Sequence, residues 1–186
     1  MRVLVIDASG CLGRACITAL QATSPAHTII ALVHTPATFP AALANLCDAI
    51  VTVGARDTAK LADALRTHEC DALVQAGGYT AIWPWQTSYL PVMFAAALDA
   101  AEGVARERSG ITRDGEIPTV DKRIRAWMVC DLGGMDAPWG HLPPVFPIHR
   151  VRYAMLIQRP TSAVAWSAMC PAMMLSSASH RGARAL

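Results

Sequence analysis

A short apolar run at the amino terminus, followed by a turn with two glycines, constrains the fold more than any other part of the sequence. Val3 to Ile6 are consecutively apolar, as in a strand that is buried on both faces of a sheet. The turn Asp7 to Gly13 follows, and apolar residues then recur at helical spacing as far as Ala22. A buried strand that leads through such a turn into a helix is typical of βαβ units and a parallel sheet.

The rest of the chain alternates short β-rich runs with Ala- and Leu-rich stretches, which predicts an α/β fold with a doubly wound parallel sheet. We expect one domain over residues 1–175, a surface insert at 106–123, an irregular loop at 133–147 and a loose tail at 176–186. The predicted strands after the first are Thr28–Val33, Ala49–Val53, Asp71–Gln75, Ala126–Cys130 and Ala163–Met169. The predicted helices are Cys11–Ala22, Ala41–Leu46, Asp57–Leu65 (capped by Asp57 or Thr58), Tyr89–Val104 and His149–Gln158.

Composition and charge argue against several classes of protein. The net charge is only +2 and the fourteen arginines do not cluster, so we expect no nucleic-acid partner. The apolar run at the amino terminus is too short for a signal peptide or a membrane span, which predicts a cytoplasmic protein without a membrane partner. Six cysteines are scattered without a CxxC pair or a histidine at ligand spacing, so neither a disulfide nor a metal site is expected.

The turn between the first strand and the first helix is the main candidate binding site. In parallel α/β folds, glycines at this turn let the backbone approach a pyrophosphate, and the amides and dipole of the following helix bind its charge. Gly10 stands where the backbone would come close to the ligand, and Gly13 where the helix would pack against the strand. The expected contacts with a dinucleotide are Ala8, Ser9, Gly10, Cys11, Leu12 and Gly13.

Residues 3–13, VLVIDASGCLG, resemble the VLVxGASGxxG opening of extended and atypical short-chain dehydrogenase/reductases, most closely that of NmrA-like and averufin-oxidase-like proteins. Further segments resemble the family in the same order along the chain, at 31–35, 54–65, 71–77, 127–133 and 166–174. The resemblance implies a Rossmann-like NAD(P)-binding domain and adds Ala76 and Gly77 to the expected cofactor contacts. Members usually continue past a sixth strand, so the resemblance also implies either a domain truncated at its C-terminal end or a pocket that the second subunit of a homodimer completes.

Two departures from the family pattern affect the expected cofactor. Asp7 replaces the first glycine, so a carboxylate would repel the pyrophosphate unless its side chain points away. Ala55 replaces an acidic residue that the family places near the adenine. The second predicted strand ends at His34 and Thr35, without the acid that binds the ribose of NAD. No carboxylate there repels an additional phosphate, so we predict NADP, with NAD as the alternative.

The usual residues for hydride transfer are missing from the sequence. The classical enzymes pair a tyrosine with a lysine four residues later, and neither Lys60 nor Lys122 has a tyrosine at that spacing. Three candidate catalytic residues remain. Asp131 follows the fifth predicted strand, and His149 and Tyr153 lie four residues apart on one predicted helix face. A structural role, as a turn cap or as polar surface residues, is the alternative for each of them.

Tyr79, Trp83 and Trp85 follow the fourth predicted strand and are expected either to form a flat wall for a small-molecule substrate or to plug the core. Three functions stay open. One is an atypical oxidoreductase acting on a small or polycyclic carbonyl or phenol, which family analogy would place in secondary (polyketide) metabolism. The second is a non-catalytic, NmrA-like dinucleotide-binding module that regulates or binds a partner. The third is a non-redox isomerase or dehydratase on the same fold.

Overall fold

The structure, a computed structural model, describes residues 1–23, 27–77, 89–110, 123–129, 146–159 and 164–169. Six strands in these ranges form one all-parallel sheet: β1 (Arg2–Ile6), β2 (Thr28–Val33), β3 (Ala49–Thr52), β4 (Ala72–Gln75), β5 (Ile124–Val129) and β6 (Val164–Met169). Their order in the sheet is β3-β2-β1-β4-β5-β6. The predicted doubly wound parallel sheet, with its Rossmann-like topology, is therefore confirmed.

Helices connect the strands and cover the two faces of the sheet. They are α1 (Cys11–Ala22), α2 (Ala41–Ala44), α3 (Thr58–Thr67), α4 (Leu90–Ser109) and α5 (Phe146–Ile157), with a short 3-10 turn at Pro36–Thr38. The core on one face joins the sheet to α3, α4 and α5, and the core on the other joins it to α1 and α2. None of these described helices is long and apolar enough to cross a membrane.

The sequence pattern predicted several element bounds closely because local signals are strong there. The bounds of α1 and β2 agree with the prediction at both ends. Helix α3 begins after Asp57, whose carboxylate accepts the Lys60 backbone N–H at 3.1 Å, so the cap is Asp57 and not Thr58. This bond is the main reason why the pKa of Asp57 lies below its usual value.

The predicted end of the long helix and start of the insert were wrong. Helix α4 continues to Ser109, and Gly110 ends it in the left-handed conformation at φ +65°. The charged residues at 106–109 are helical because their side chains have partners: Arg106 pairs with Glu102, and Arg108 donates to the Cys70 carbonyl at 2.8 Å. Residues 111–122, the rest of the predicted insert, lie outside the described ranges, as does the predicted tail.

The predicted loop at 133–147 also ended too late. Helix α5 starts at Phe146, three residues before the predicted His149, because Pro147 is compatible with a first helical turn. Arg152 and Leu156 of this helix are buried, and the Arg152 guanidinium lies 5.6 Å from the centre of the Phe94 ring on α4. An edge of the sheet that carries β5 and β6 is thereby attached to the main core.

Candidate functional site

The candidate site lies at the carboxyl edge of the sheet, beside the point where the strand order reverses. From β1 the chain proceeds outward through β2 and β3, then returns to the other side of β1 with β4. Helix α1, which follows β1, and helix α4, which follows β4, lie on opposite faces of the sheet, which leaves a crevice at the ends of these two strands. Ligands of open α/β sheets bind at such a crevice.

The turn after β1 is closely packed against its own backbone, as the glycine pattern predicted. A Cβ atom built on Gly13 would lie 2.2 Å from the Asp7 carbonyl oxygen and 2.8 Å from the Ala8 Cα. Neither atom belongs to a flexible side chain, so only glycine fits where α1 crosses the end of β1. Ala8 is fully buried, and its backbone N–H donates to the Leu32 carbonyl at 3.0 Å, which fastens the turn to β2.

Asp7 adopts the left-handed backbone conformation at φ +59°, which residues other than glycine adopt at a cost. Its side chain is half-buried and lies over two glycines of the crevice. A Cβ built on Gly10 would be 2.7 Å from the Asp7 Oδ2 atom, and one built on Gly77 would be 2.3 Å from the Asp7 Cβ. The carboxylate therefore points into the crevice between β1 and β4, where repulsion of a diphosphate would be strongest.

The amino terminus of α1 retains backbone donors next to this crevice. No side chain in the described part of the chain caps the helix, and its first backbone hydrogen bond runs from the Arg14 N–H to the Gly10 carbonyl at 3.0 Å. The amides of Cys11, Leu12 and Gly13 precede that bond. Such uncapped amides, together with the helix dipole, form an anion-binding end. Ser9 contributes structurally, because its carbonyl accepts a hydrogen bond from Arg14 Nε at 2.7 Å.

A cavity of about 460 Å³ extends from Asp7 along the carboxyl ends of β2 and β3. This volume falls within the roughly 300–1,000 Å³ of typical small-molecule sites. Its described lining is mostly apolar, and only three of its side chains are polar or charged, namely Asp7, His34 and Arg56. The other described lining residues are Leu32, Val53, Gly54, Ala55 and Met93. An apolar slot with a few polar groups suits a planar heterocycle with polar substituents.

The other predicted contacts occupy different places around the crevice. His34 and Thr35 are both exposed; His34 lines the cavity, and Thr35 is not part of the described lining. Ala76 donates its N–H to the Ile6 carbonyl at 3.3 Å, and the Gly77 carbonyl accepts a hydrogen bond from the buried Gln75 side chain at 2.8 Å. Ala76 and Gly77 thus form the β4 wall of the crevice, opposite the turn after β1.

The predicted catalytic residues fall largely outside the described part of the chain. Asp131 lies outside the described ranges, and so does the predicted aromatic wall of Tyr79, Trp83 and Trp85. His149 and Tyr153 are on α5, as predicted, but their side chains are not described. Whether these residues meet the crevice stays a prediction.

Sequence reasoning missed Arg56, Met93 and Val53 as cavity residues. Arg56 directly follows Ala55, which the sequence pattern had already marked as a departure at this loop, so a signal was present. Met93 could not have been found from the sequence, because α4 packs on β4, β5 and β6 and reaches the cavity only through its tertiary packing. Among the described residues, no group of three or more His, Cys, Asp or Glu side chains is placed to bind a metal ion.

No family model and no curated protein matches this chain. Solved structures do match. They include an NADPH-dependent quinone oxidoreductase from Escherichia coli in complex with NADPH, with a TM-score of 0.59 and 21% identity over 90% of this chain and 47% of that chain. A short-chain dehydrogenase/reductase-family oxidoreductase from Burkholderia thailandensis matches with a TM-score of 0.61 and 21% identity, over 91% of this chain and 68% of that chain. Leucoanthocyanidin reductase from Vitis vinifera, in a binary complex with NADPH, matches with a TM-score of 0.60 and 19% identity, over 91% of this chain and 47% of that chain.

These similarities define the fold class. The chain has the Rossmann-like fold found in NAD(P)-dependent oxidoreductases, at an identity of 21% or less. It spans about half the length of the quinone oxidoreductase and of the leucoanthocyanidin reductase, and about two thirds of the Burkholderia protein.

Proposed function

We propose that this chain binds NADP(H) across the carboxyl edge of the sheet and functions as an oxidoreductase-related protein of the atypical short-chain dehydrogenase/reductase kind. The observation that carries the proposal is that the 460 Å³ cavity reaches Asp7, the first residue of the turn that leads into α1, at the reversal of strand order. The cavity would take the adenosine portion, and the amides of Cys11, Leu12 and Gly13 would face the diphosphate.

The residues present fit the adenosine portion better than the diphosphate. The cavity is apolar and of suitable size, but the Asp7 carboxylate lies over Gly10 and Gly77. Two negative groups in one crevice repel each other strongly when water is partly excluded. Diphosphate binding therefore requires the Asp7 side chain to rotate away, and this requirement reduces the affinity.

The choice of NADP over NAD is part of the proposal. No carboxylate follows β2, where an acid would bind the ribose hydroxyls of NAD, and Arg56 supplies a positive charge at the same cavity. The two similar structures whose ligand is named both contain NADPH. NAD is the alternative that the measurements below would detect.

The nicotinamide, when bound, supplies a hydride donor or acceptor, and this chain would supply the pocket and a proton. We propose a planar carbonyl or phenol, small or polycyclic, as the substrate. Two of the similar proteins, a quinone oxidoreductase and leucoanthocyanidin reductase, are named for aromatic or quinonoid compounds. Asp131, His149 and Tyr153 are the candidates for the proton. A place in secondary metabolism, a cytoplasmic location and a homodimer that completes the pocket belong to the same proposal.

A second candidate function is a non-catalytic, NmrA-like binding module. One observation favours it: neither lysine of the chain has a tyrosine four residues before it, so the usual proton-transfer pair is missing. Such a module would bind the same dinucleotide but would not oxidise it. The third candidate, a non-redox isomerase or dehydratase, would need Asp131 or His149 as a base, and no described contact favours it.

The test measures dissociation constants for NADPH and NADH with the unmodified chain, with Asp7→Gly and with Asp7→Asn. We expect Asp7→Gly to bind NADPH at least about tenfold more tightly, because it removes the repulsion and suits a positive φ. Asp7→Asn, which removes the charge but keeps the volume, should lie between the two. Absence of binding, and of any thermal stabilisation by millimolar nucleotide, in all three variants would refute the proposal.

Turnover separates the candidate functions. Oxidation of NADPH with a panel of quinones, ketones and phenols would support the oxidoreductase, and tight binding without oxidation across the whole panel would support the module. His149→Ala and Tyr153→Phe serve as paired variants, because loss of turnover with unchanged nucleotide affinity would assign the proton-transfer role.

A further inference from the structure

Arg56 is placed at the proposed adenosine cavity, and no carboxylate in the described ranges pairs with its charge. It lies in the loop after β3, four residues beyond Thr52, and lines the cavity together with His34 from the end of β2. Among the described residues it takes part in no ion pair or hydrogen bond. An exposed guanidinium at the mouth of an otherwise apolar cavity is well suited to a doubly charged oxyanion, which it binds through two parallel hydrogen bonds.

The neighbouring acid does not compete for this charge. Asp57, the next residue, accepts hydrogen bonds from the Lys60 backbone N–H and pairs with the Lys60 ammonium at 3.2 Å. These interactions lower the pKa of Asp57 and keep its carboxylate engaged at the start of α3. In the loop after β3, the Asp57 carboxylate therefore interacts with Lys60, and the Arg56 guanidinium can bind an anion at the cavity.

An aromatic ring positions the guanidinium over the cavity. The Arg56 Cζ atom lies 4.7 Å from the centre of the Tyr89 ring, within the range of a cation–π contact. Tyr89 immediately precedes α4, whose Met93 also lines the cavity. The contact restrains a long side chain, so less conformational entropy is lost when an anion binds.

The position of Arg56 also separates it from Asp7. Strand β2 lies between the two loops, and neighbouring strands are about 4.8 Å apart, so the ends of β1 and β3 are about 10 Å apart. An anion at Arg56 is therefore farther from the Asp7 carboxylate than an anion at the turn after β1, and the repulsion between them is weaker.

We propose that Arg56, held by Tyr89, is the residue that recognises a phosphate on the adenosine ribose, and that it sets the preference of this site for a 2′-phosphorylated nucleotide. The inference rests on the proposed adenosine cavity. It assigns the discriminating positive charge to the loop after β3, because the end of β2 offers only His34 and Thr35.

The test uses two dinucleotides and two short probes, adenosine 2′,5′-bisphosphate and AMP, with the unmodified chain and with Arg56→Gln, Arg56→Lys and Arg66→Gln. We expect Arg56→Gln to weaken NADPH and the bisphosphate at least about tenfold, with less than a twofold change for NADH and AMP. Arg56→Lys should lose less. Arg66→Gln removes an equal charge from α3 outside the cavity and should leave the affinities for all four ligands unchanged.

Tyr89 is tested as a positioning residue. Tyr89→Phe should keep the ratio of NADPH to NADH affinity, and Tyr89→Ala should reduce it about threefold without affecting NADH. An Arg56→Gln variant that loses both nucleotides equally, or neither, overturns the inference.

The short probes separate the two proposals. Binding of the bisphosphate that depends on Arg56, without binding of either dinucleotide, would support the role of Arg56 and refute the dinucleotide site. Dinucleotide binding that is unchanged by Arg56→Gln would support the dinucleotide site and refute the role of Arg56.

Discussion

The two faces of the sheet are covered to different extents by the described helices. On the face of α3, α4 and α5, residues of every strand from β1 to β6 except β3 are almost fully buried, as far out as Met128 on β5 and Val164 on β6. On the face of α1 and α2, burial is complete at the centre but not at the edges. There Ile50 on β3 is 42% exposed, and Trp127 on β5 is only partly buried.

The difference follows from the lengths and the packing of the helices. Helix α4 has 20 residues and contacts α3, α5 and three strands, so it spans the centre of its face. Helix α1 has 12 residues and approaches the sheet mainly at β1, where Gly13 lets the backbones touch. Beside it, Cys16, Leu20 and Trp127 line an apolar groove of about 210 Å³. We infer that stability resides mainly in the α4 face and that the α1 face is organised around the turn after β1.

Thiol labelling should show the largest contrast between the faces. Cys70, next to the α4 core, is fully buried, and burial raises the pKa of its thiol to about 12. Cys11 at the start of α1 is exposed, and Cys16 is half-buried. At pH 8, mass spectrometry after alkylation should find Cys11 labelled at least about a thousandfold faster than Cys70, which reacts only after the fold opens, with Cys16 between them.

Similar labelling rates for Cys70 and Cys11 would contradict the contrast between the two faces.

The raised pKa of Cys70 also predicts how the stability of the fold changes with pH. The folded state holds the Cys70 proton more tightly than the unfolded state, whose thiol has a pKa near 9.0. Its contribution to stability is therefore complete below about pH 9 and declines as the pH rises towards 12. Cys70→Ala should reduce this decline.

The same substitution on the two faces should give unequal losses of stability. Leu98 on α4 is 1% exposed, whereas Leu20 on α1 borders the open groove. Leu98→Ala should lower the free energy of unfolding by about 3–5 kcal/mol, and Leu20→Ala by about 1–2 kcal/mol, because fewer contacts and a smaller closed cavity are involved. Denaturant titration of both variants checks this prediction, and equal losses would show that the faces contribute equally.

Glycine-to-alanine substitutions should change stability in opposite directions. Gly13→Ala places a Cβ 2.2 Å from a backbone oxygen and should cost about 1–3 kcal/mol through forced separation of α1 from β1. Gly103→Ala, inside α4 with no atom within 4 Å of the new Cβ, should gain about 0.5–1 kcal/mol from helix propensity. Thermal unfolding measures both. A loss at Gly103 comparable to that at Gly13 would refute the distinction.

Much of the fold and the location of the turn were predictable because their signals are local. The run Val3–Ile6 and the spacing of apolar residues in α1 each act within a few residues, and both were read correctly; the cap of α3 was narrowed to Asp57 or Thr58, and the structure selects Asp57. The end of α4 was not predictable, because Arg108 is held in the helix by carbonyls of residues about 40 positions away. Of the predicted cofactor contacts, Gly10 and Gly77 lie on either side of the Asp7 side chain, and their binding role stays a prediction.

The sequence by itself determined the order of strands and helices and the need for glycine at the turn, since backbone geometry and side-chain periodicity are properties of neighbouring residues. Only the tertiary structure decided that the Asp7 side chain points into the crevice and that Arg56, His34 and Met93 line one cavity. Those positions depend on the crossover from β3 to β4, which brings loops distant in sequence to one edge of the sheet. Pairwise distances across such a crossover are set by packing of the whole core, which no short sequence pattern encodes.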